Sequence, residues 1–208
     1  MSLRNMNIAP RAFLGFALIG TLMLILGAGA LLQMGQIRSA AEDISTTSVP
    51  SIQNLDEFTQ LALRLRVLSY RLLINREPDV QQKTMELLDL RNQEIRTAET
   101  QYEKYISSPQ EQAVYDRYKQ LMGQYGQLQD RMRNYSRNDQ VDQLRELLNT
   151  ELLENSEAIN KELNNLMRIN GQQITEANQR ASDMYSAAIK LVVFLLLLAT
   201  ALTIACAL

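Results

Sequence analysis

The segment Gln60–Arg71 reads Q-L-A-L-R-L-R-V-L-S-Y-R and places three arginines inside an apolar helical pattern. Its leucine spacing predicts one buried helical stripe, formed by Leu61, Leu65, Leu68 and Leu72. At about 100° per residue, Arg64 and Arg71 fall on one shoulder of that stripe and Arg66 on the far side. Such arginines can lay their stems along the core or aim forked donors at an anion. The segment therefore predicts a packed helix with a candidate anion site.

Two segments of the chain, 13–32 and 191–208, contain no charged residue. A helix of about 20 apolar residues crosses a hydrocarbon core of about 30 Å, so each segment predicts a membrane span. The segment between them is polar and rich in Gln, Asn, Glu, Arg and Leu. The first apolar stretch is longer than a signal-peptide core and lacks a clear A-x-A cleavage site, which favours an uncleaved anchor over a cleaved signal peptide.

Positive charge before the first span predicts the orientation of the chain. Arg4 and Arg11 precede this span with no acidic residue beside them, so the N-terminus is expected to stay in the cytoplasm. The predicted organisation is a cytoplasmic N-terminus (1–12), a transmembrane helix (13–33), a translocated domain (34–190) and a second transmembrane helix (191–208). The single cysteine, Cys206, lies in the second span, so packing alone must stabilise the translocated domain.

Prolines divide the polar segment into helices. Pro50 predicts a kink in the helix that leaves the first span, and Pro78 predicts that the first bundle helix ends near Asn75. The second helix is predicted from Pro78 to about Ile106. The sequence Ser107-Ser108-Pro109 then ends this helix and supplies the N-cap of the third one.

The third helix has the clearest heptad pattern, with seven consecutive apolar or aromatic positions. They are Val114, Tyr118, Leu121, Tyr125, Leu128, Met132 and Tyr135. The tyrosines in this pattern are expected to be core residues, and Tyr115 lies off the stripe. After a polar turn, Asn138 or Asp139 is the predicted N-cap of a fourth helical region, which has a break at 149–150 and continues to the second span.

Four helices joined by short turns, with both ends entering the membrane, predict an all-α fold. The expected architecture is an antiparallel up-down-up-down four-helix bundle flanked by two transmembrane helices. The first and fourth bundle helices should be neighbours, and Asn155 and Ser156 lie at the height of the arginines when residues are counted from the spans. The predicted ligand-binding residues are Arg64, Arg66, Arg71, Asn155 and Ser156.

The residue types present argue against an enzyme. The chain has no histidine, so it has no imidazole base and no histidine metal ligand. Its one cysteine lies in a predicted span, where it is a poor nucleophile or thiolate ligand. Neither the glycine-rich phosphate-binding motifs nor the nucleophile elbow occurs. Carboxylates such as Glu94 and Glu99 have the pattern of solvated helix faces. The net charge is −2 with interspersed signs, which is untypical of nucleic-acid binding. We expect no catalytic residue, metal, cofactor or nucleic-acid partner.

Two interpretations of the arginines stay open. Guanidinium groups match carboxylate or phosphate, so the cluster can bind a small anion. Alternatively, the arginines pair with surface carboxylates such as Asp56 or Asp89 and bind nothing. The second interpretation describes a membrane-anchored interaction bundle without a small ligand, in which replacing the arginines alters stability or dimerisation only.

The order of short N-terminus, span, four-helix bundle and span resembles the sensory half of bacterial methyl-accepting chemotaxis receptors of the aspartate- and serine-receptor type. The opening M-N-I-A-P-R-A-F-L-G-F-A-L-I-G, Met6–Gly20, also looks like the start of many such receptors. The aspartate-receptor type carries an Arg-x4-Arg-x3-Arg pattern late in the first helix, with one arginine upstream. Arg66-x4-Arg71 is similar to the first pair and Arg64 to the upstream position, whereas Asn75 replaces the third arginine. The resemblance therefore implies recognition of a small anion, with an organic acid as the first choice.

The resemblance has further implications. It implies a homodimer through the first bundle helix, a pocket with arginines from both subunits, and a bundle in the periplasm of a bacterial inner-membrane protein. A small displacement of the fourth helix would signal through the second span, and the polar positions Asn170 and Gln173 are suited to sliding. The cytoplasmic part that would contact kinase and adaptor proteins is expected to follow Leu208. The alternative output is a histidine kinase or a cyclic-dinucleotide enzyme.

Overall fold

The computed structural model describes residues 8–207, and all regular structure in that range is helical. The helices are α1 (Ile8–Asp43), α2 (Val49–Ile74), α3 (Pro78–Tyr102), α4 (Pro109–Arg137), α5 (Val141–Asn149) and α6 (Glu151–Ala207). The predicted all-α class is confirmed. Residues 1–7 of the predicted cytoplasmic N-terminus, with Arg4, lie outside the described residues, as do the side chains of Arg11 and Cys206.

Prolines and a serine cap set the helix boundaries where the sequence predicts them. A π-helical turn, Ile44–Ser48, separates α1 from α2 just before Pro50, which cannot donate a backbone hydrogen bond. Helix α2 ends at Ile74, and α3 begins at Pro78. At the start of α4, the Oγ of Ser108 accepts a hydrogen bond from the N–H of Glu111 at 3.2 Å.

Two predicted boundaries are wrong. Helix α3 ends at Tyr102 rather than near Ile106, because the next residues form a tight turn in which Tyr105 N–H donates to Tyr102 O at 2.8 Å. Gln140, not Asn138 or Asp139, is the residue before α5. Asp139 has a φ of 54°, whereas an N-cap side chain acts from an extended backbone.

The chain divides into two compact units. One is Ser45–Ile174, and the other combines the segments on either side of it. Two helical runs, Ile19–Ile74 and Val141–Ala201, each contain a segment long and apolar enough to cross a membrane by length and composition. Large apolar side chains in these segments are exposed, as a hydrocarbon environment allows. They include Leu24, Leu31, Leu32, Phe194 and Leu197.

The unit Ser45–Ile174 has a single hydrophobic core. The four leucines of the predicted stripe on α2 are all buried, which confirms that part of the pattern. An aromatic cluster fills the core: the Phe58 ring stacks on Tyr118 with centroids 5.6 Å apart and meets the Tyr102 ring edge-on at 5.6 Å. Tyr118 and Tyr125 are core residues as predicted, and Tyr115 is buried as well.

Candidate ligand site

The three arginines of the predicted site lie on α2 without carboxylate partners. Arg64 and Arg71 are exposed and Arg66 is half-buried. None of them forms an ion pair with a described residue. Asp89 pairs instead with Arg133 at 2.6 Å, and Asp56 accepts a hydrogen bond from Gln60. The guanidinium groups therefore keep their donors for another anion.

Arg66 and Ser156 line one crevice between α2, α4 and α6. Its other walls include Ala62, Tyr125 and Asn160, and its volume is about 10 Å³, room for roughly one water molecule. Ser156 Oγ donates to Leu152 O at 2.6 Å and keeps its acceptor lone pairs. We call this cavity the Arg66 crevice. A ligand larger than water must extend out of it.

Tyr125, which lines the Arg66 crevice, is held in its protonated form. Burial raises the pKa of Tyr125 above its usual value, while hydrogen bonding to Ser69 and the charge of Arg66 partly oppose that rise. The hydroxyl lies 3.5 Å from Ser69 Oγ. At neutral pH Tyr125 is therefore uncharged, and Arg66 is the charged residue of the crevice lining.

Arg64 lies in a separate groove between α2 and α3. This groove has a volume of about 400 Å³ and is otherwise lined by Leu63, Val67, Leu68, Leu87 and Arg91. Both cavities have largely apolar linings, to which Arg64 and Arg91 belong in this groove and Arg66 in the Arg66 crevice. Arg71 lines neither cavity.

Asn155 is turned away from the arginines. Its Nδ2 donates to Leu121 O and to Gln124 Oε1, both at 3.3 Å, in a groove between α4 and α6. Successive residues of a helix point about 100° apart, so Asn155 and Ser156 face different neighbours. Of the five predicted ligand-binding residues, the structure brings Arg66 and Ser156 into one cavity and sets Arg64, Arg71 and Asn155 outside it.

An apolar stripe on the outer side of α2 separates the arginines. Leu63, Val67 and Ile74 are exposed by 49%, 67% and 74% and lie within about 40° of one another around the helix. We call them the exposed α2 stripe. Arg66 borders one edge of this stripe, and Arg64 and Arg71 border the other. Exposed large apolar side chains in a row are typical of an interaction surface.

A buried carboxylate joins α6 to the start of α4. Glu111 is fully buried, and its Oε1 accepts from Tyr102 Oη at 2.8 Å and from Asn170 Nδ2 at 2.9 Å. Its Oε2 accepts from Ser107 N–H at 3.0 Å and from Gln173 Nε2 at 3.5 Å. We call Tyr102, Glu111, Asn170 and Gln173 the buried polar cluster. Asn170 and Gln173, interpreted from sequence as a seam suited to sliding, are thus hydrogen-bonded to α4.

Sequence reasoning missed several polar residues. Glu99, interpreted as part of a solvated face, is buried and pairs with Lys119 at 3.1 Å. Asn160 lies one helical turn after Ser156, a spacing that could have assigned it to the same cavity. Glu111 stands three residues after Ser108, which is the spacing of a capping box.

These observations define an all-helical chain compatible with a membrane receptor, with two helices able to span a membrane. A family model described as a four helix bundle sensory module for signal transduction matches residues 5–185. The chain therefore belongs to the four-helix-bundle sensory modules of methyl-accepting chemotaxis proteins. The comparison with curated proteins gave no match. The family is a sensory module of signal transduction and generally non-enzymatic.

Proposed function

We propose that this chain is the sensory module of a chemoreceptor that binds a small anionic ligand in the periplasm and signals through its second transmembrane helix. The observation that carries the proposal is the set of three arginines on α2 without carboxylate partners among the described residues. They flank an exposed apolar stripe. Guanidinium groups without an internal counter-ion are suited to a carboxylate or phosphate.

The bundle that carries the site is proposed to be antiparallel, up-down-up-down. Hydrogen bonds link the end of α3 to the start of α4 and to α6, through Tyr102, Glu111 and Asn170. The turn after α2 meets the turn after α4 through the Arg76–Asp139 ion pair. Both contacts are expected when consecutive helices run in opposite directions.

A homodimer through α2 is the second part of the proposal. The exposed α2 stripe offers an apolar strip that a symmetry-related copy can cover. In a two-fold dimer, the edge of one stripe that carries Arg66 would lie beside the edge of the other copy's stripe that carries Arg64 and Arg71. Dimerisation would thereby assemble arginines that one chain keeps apart.

A small organic acid fits this arrangement better than a large ligand. The Arg66 crevice has a volume of about 10 Å³, which is too little for several carbon atoms. One oxygen of the ligand would occupy the crevice near Arg66 and Ser156, and the rest of the ligand would extend toward the partner copy. Two or three guanidinium groups favour a ligand with more than one negative oxygen. Small dicarboxylates have this property.

The proposed location is the bacterial inner membrane, with the bundle in the periplasm. Arg4 and Arg11 before the first span support a cytoplasmic N-terminus. The second span would pass the signal to a cytoplasmic chemotaxis domain and, through it, to kinase and adaptor proteins. The ligand can shift the receptor only by the difference between its affinities for the two signalling states.

A thermal-unfolding screen of the full chain in lipid nanodiscs tests the proposal. Small mono- and dicarboxylates, amino acids and phosphate are added in turn, and helicity is followed by circular dichroism. A ligand at 100 times its dissociation constant should stabilise the fold by about 2.7 kcal/mol. The shift should vanish in Arg66→Ala and persist in Arg96→Ala, an exposed arginine on α3. Stabilisation by none of the anions, or equal loss in both variants, would contradict the anion site.

A further inference from the structure

The groove between α4 and α6 is a further cavity of the bundle, about 420 Å³ in volume. Amide side chains line it, together with the Arg131–Glu151 ion pair, over a floor that includes Leu121 and Leu128. It shares no lining residue with the Arg66 crevice. A groove of this volume can hold a small organic molecule. We call it the α4–α6 groove.

Asn155, one of the residues that line this groove, carries a hydrogen-bond acceptor without a partner among the described residues. The residue is 8% exposed, and its Nδ2 is satisfied by Leu121 O and Gln124 Oε1. Its Oδ1 is buried and has no hydrogen-bond partner among the described residues. A buried polar atom left unpaired is unfavourable, and a ligand that donates an N–H to it removes that cost. The groove therefore favours a hydrogen-bond donor.

The charges of the groove favour a cation. Arg131 donates to both carboxylate oxygens of Glu151, at 2.6 and 2.8 Å. The two charges of this pair cancel, and the forked donors of Arg131 are directed at Glu151. Glu154 is exposed and forms no ion pair in the part of the chain that the structure describes. Glu154 therefore supplies the remaining charge of the groove lining, to which Asn155 also belongs.

We propose that the α4–α6 groove binds a small primary ammonium compound, with an N–H donated to Asn155 Oδ1 and the positive charge facing Glu154. The exposed Gln124 side chain, which contacts Asn155 at 3.3 Å, would move aside to admit the ligand. This site goes beyond the proposed function, because it takes the opposite charge and uses none of the arginines on α2.

Calorimetric titration of the full chain in lipid nanodiscs tests this site with 1,4-diaminobutane as the probe. Tetramethylammonium carries a charge without N–H donors, and 1,4-butanediol carries no charge, so both are expected to bind at least tenfold more weakly. Glu154→Gln and Asn155→Ala should each weaken diamine binding at least tenfold. Glu157→Gln is the matched control, because Glu157 is an exposed acid of α6 outside the groove lining.

Three results would overturn the ammonium site: no binding of the diamine at millimolar concentration, equal binding of tetramethylammonium, or equal loss of affinity in Glu154→Gln and Glu157→Gln. Glu154 is exposed, so its variant is expected to fold, and circular dichroism checks the helicity of Asn155→Ala. Arg66→Ala should leave diamine binding unchanged. Failure of carboxylate binding and failure of diamine binding are therefore separate outcomes.

Discussion

The Oε1 atom of Glu111, at the start of α4, lies 2.9 Å from the Nδ2 of Asn170 on α6, and both side chains are buried. This carboxylate is surrounded by neutral donors and has no ion-pair partner among the described residues. Hydrogen bonds must therefore replace the hydration that the carboxylate has lost. They also link α6 to the start of α4.

Replacing Glu111 is expected to destabilise the bundle, because its carboxylate is the acceptor of several buried hydrogen bonds. Glu111→Ala removes the acceptor of Tyr102 Oη, while Asn170 Nδ2 keeps its bond to Leu166 O at 3.1 Å. The expected cost is about 1–3 kcal/mol, the penalty of one unsatisfied buried group. Urea unfolding followed by circular dichroism measures this loss. Gln110→Ala, at the exposed neighbouring position, is the control. Equal stability of the two variants would show that the buried polar cluster contributes little.

The buried tyrosines predict unfolding in alkali. Burial raises the pKa of Tyr102, Tyr115, Tyr118 and Tyr125, whereas tyrosine in an unfolded chain has a pKa of about 10. The folded chain then holds these protons more tightly, so their stabilising contribution is complete below about pH 10 and declines above it. Each tyrosine should lower the free energy of unfolding by up to about 1.4 kcal/mol per pH unit in that range.

The alkaline transition is measured by helicity and tyrosinate absorbance together. The part of the absorbance change that comes from the four buried tyrosines should coincide with the loss of helicity. Tyr125→Phe removes one of the four groups and should move the midpoint to higher pH. The same change at the exposed Tyr185 is the matched control. Tyrosinate absorbance that rises fully before helicity is lost would show that the four hydroxyls ionise within the folded bundle.

Phe58 is predicted to be among the most sensitive core positions. Its ring packs against Tyr118 and Tyr102, and it is 1% exposed. Phe58→Ala should reduce the free energy of unfolding by about 3–5 kcal/mol, and Phe58→Leu by less, because the smaller side chains leave a cavity. Leu90→Ala, on the surface of α3, should change it by less than about 1 kcal/mol. Chemical denaturation tests the order, and a smaller effect of Phe58→Ala than of Leu90→Ala would be inconsistent with this core.

The exposed α2 stripe predicts a specific cross-link. In a Cys206→Ser background, Val67→Cys places a thiol on the outer face of α2. If two copies pack through the exposed α2 stripe, the thiols introduced at position 67 of the two copies lie close together. Mild oxidation of the full chain in nanodiscs should give a covalent dimer. Thr97→Cys, exposed on α3, should give little. Cross-linking at equal rates at both positions would argue against dimerisation through α2.

Much of the fold could be predicted from the sequence, because apolar periodicity and proline act locally. The leucine stripe of α2, the heptads of α4 and the breaks at Pro50 and Pro78 follow directly from residue spacing. The end of α3 was missed, because Tyr105 and Ile106 continue an apolar pattern while the chain already turns. A turn of this kind depends on packing that periodicity does not report.

The candidate site could be predicted less completely. Sequence spacing placed Arg66 and Ser156 at one height, and they share a cavity, but it could not give the rotation of α6 about its axis. That rotation points Asn155 toward α4. Burial of Glu111 likewise depends on how α3, α4 and α6 meet, which residue spacing does not report. Its capping-box spacing from Ser108 could have indicated that the side chain reaches back to the preceding turn.

Anion binding by the arginines of α2 is tested most directly by calorimetric titration of the full chain in nanodiscs with a series of small dicarboxylates. Saturable binding of one of them is predicted, with no more than one ligand per chain and loss of at least tenfold in affinity in Arg66→Ala and in Arg71→Ala, while Arg96→Ala binds normally. Absence of binding throughout the series, or unchanged affinity in both α2 variants, would contradict the anion-sensor account and favour a bundle that recognises a protein partner.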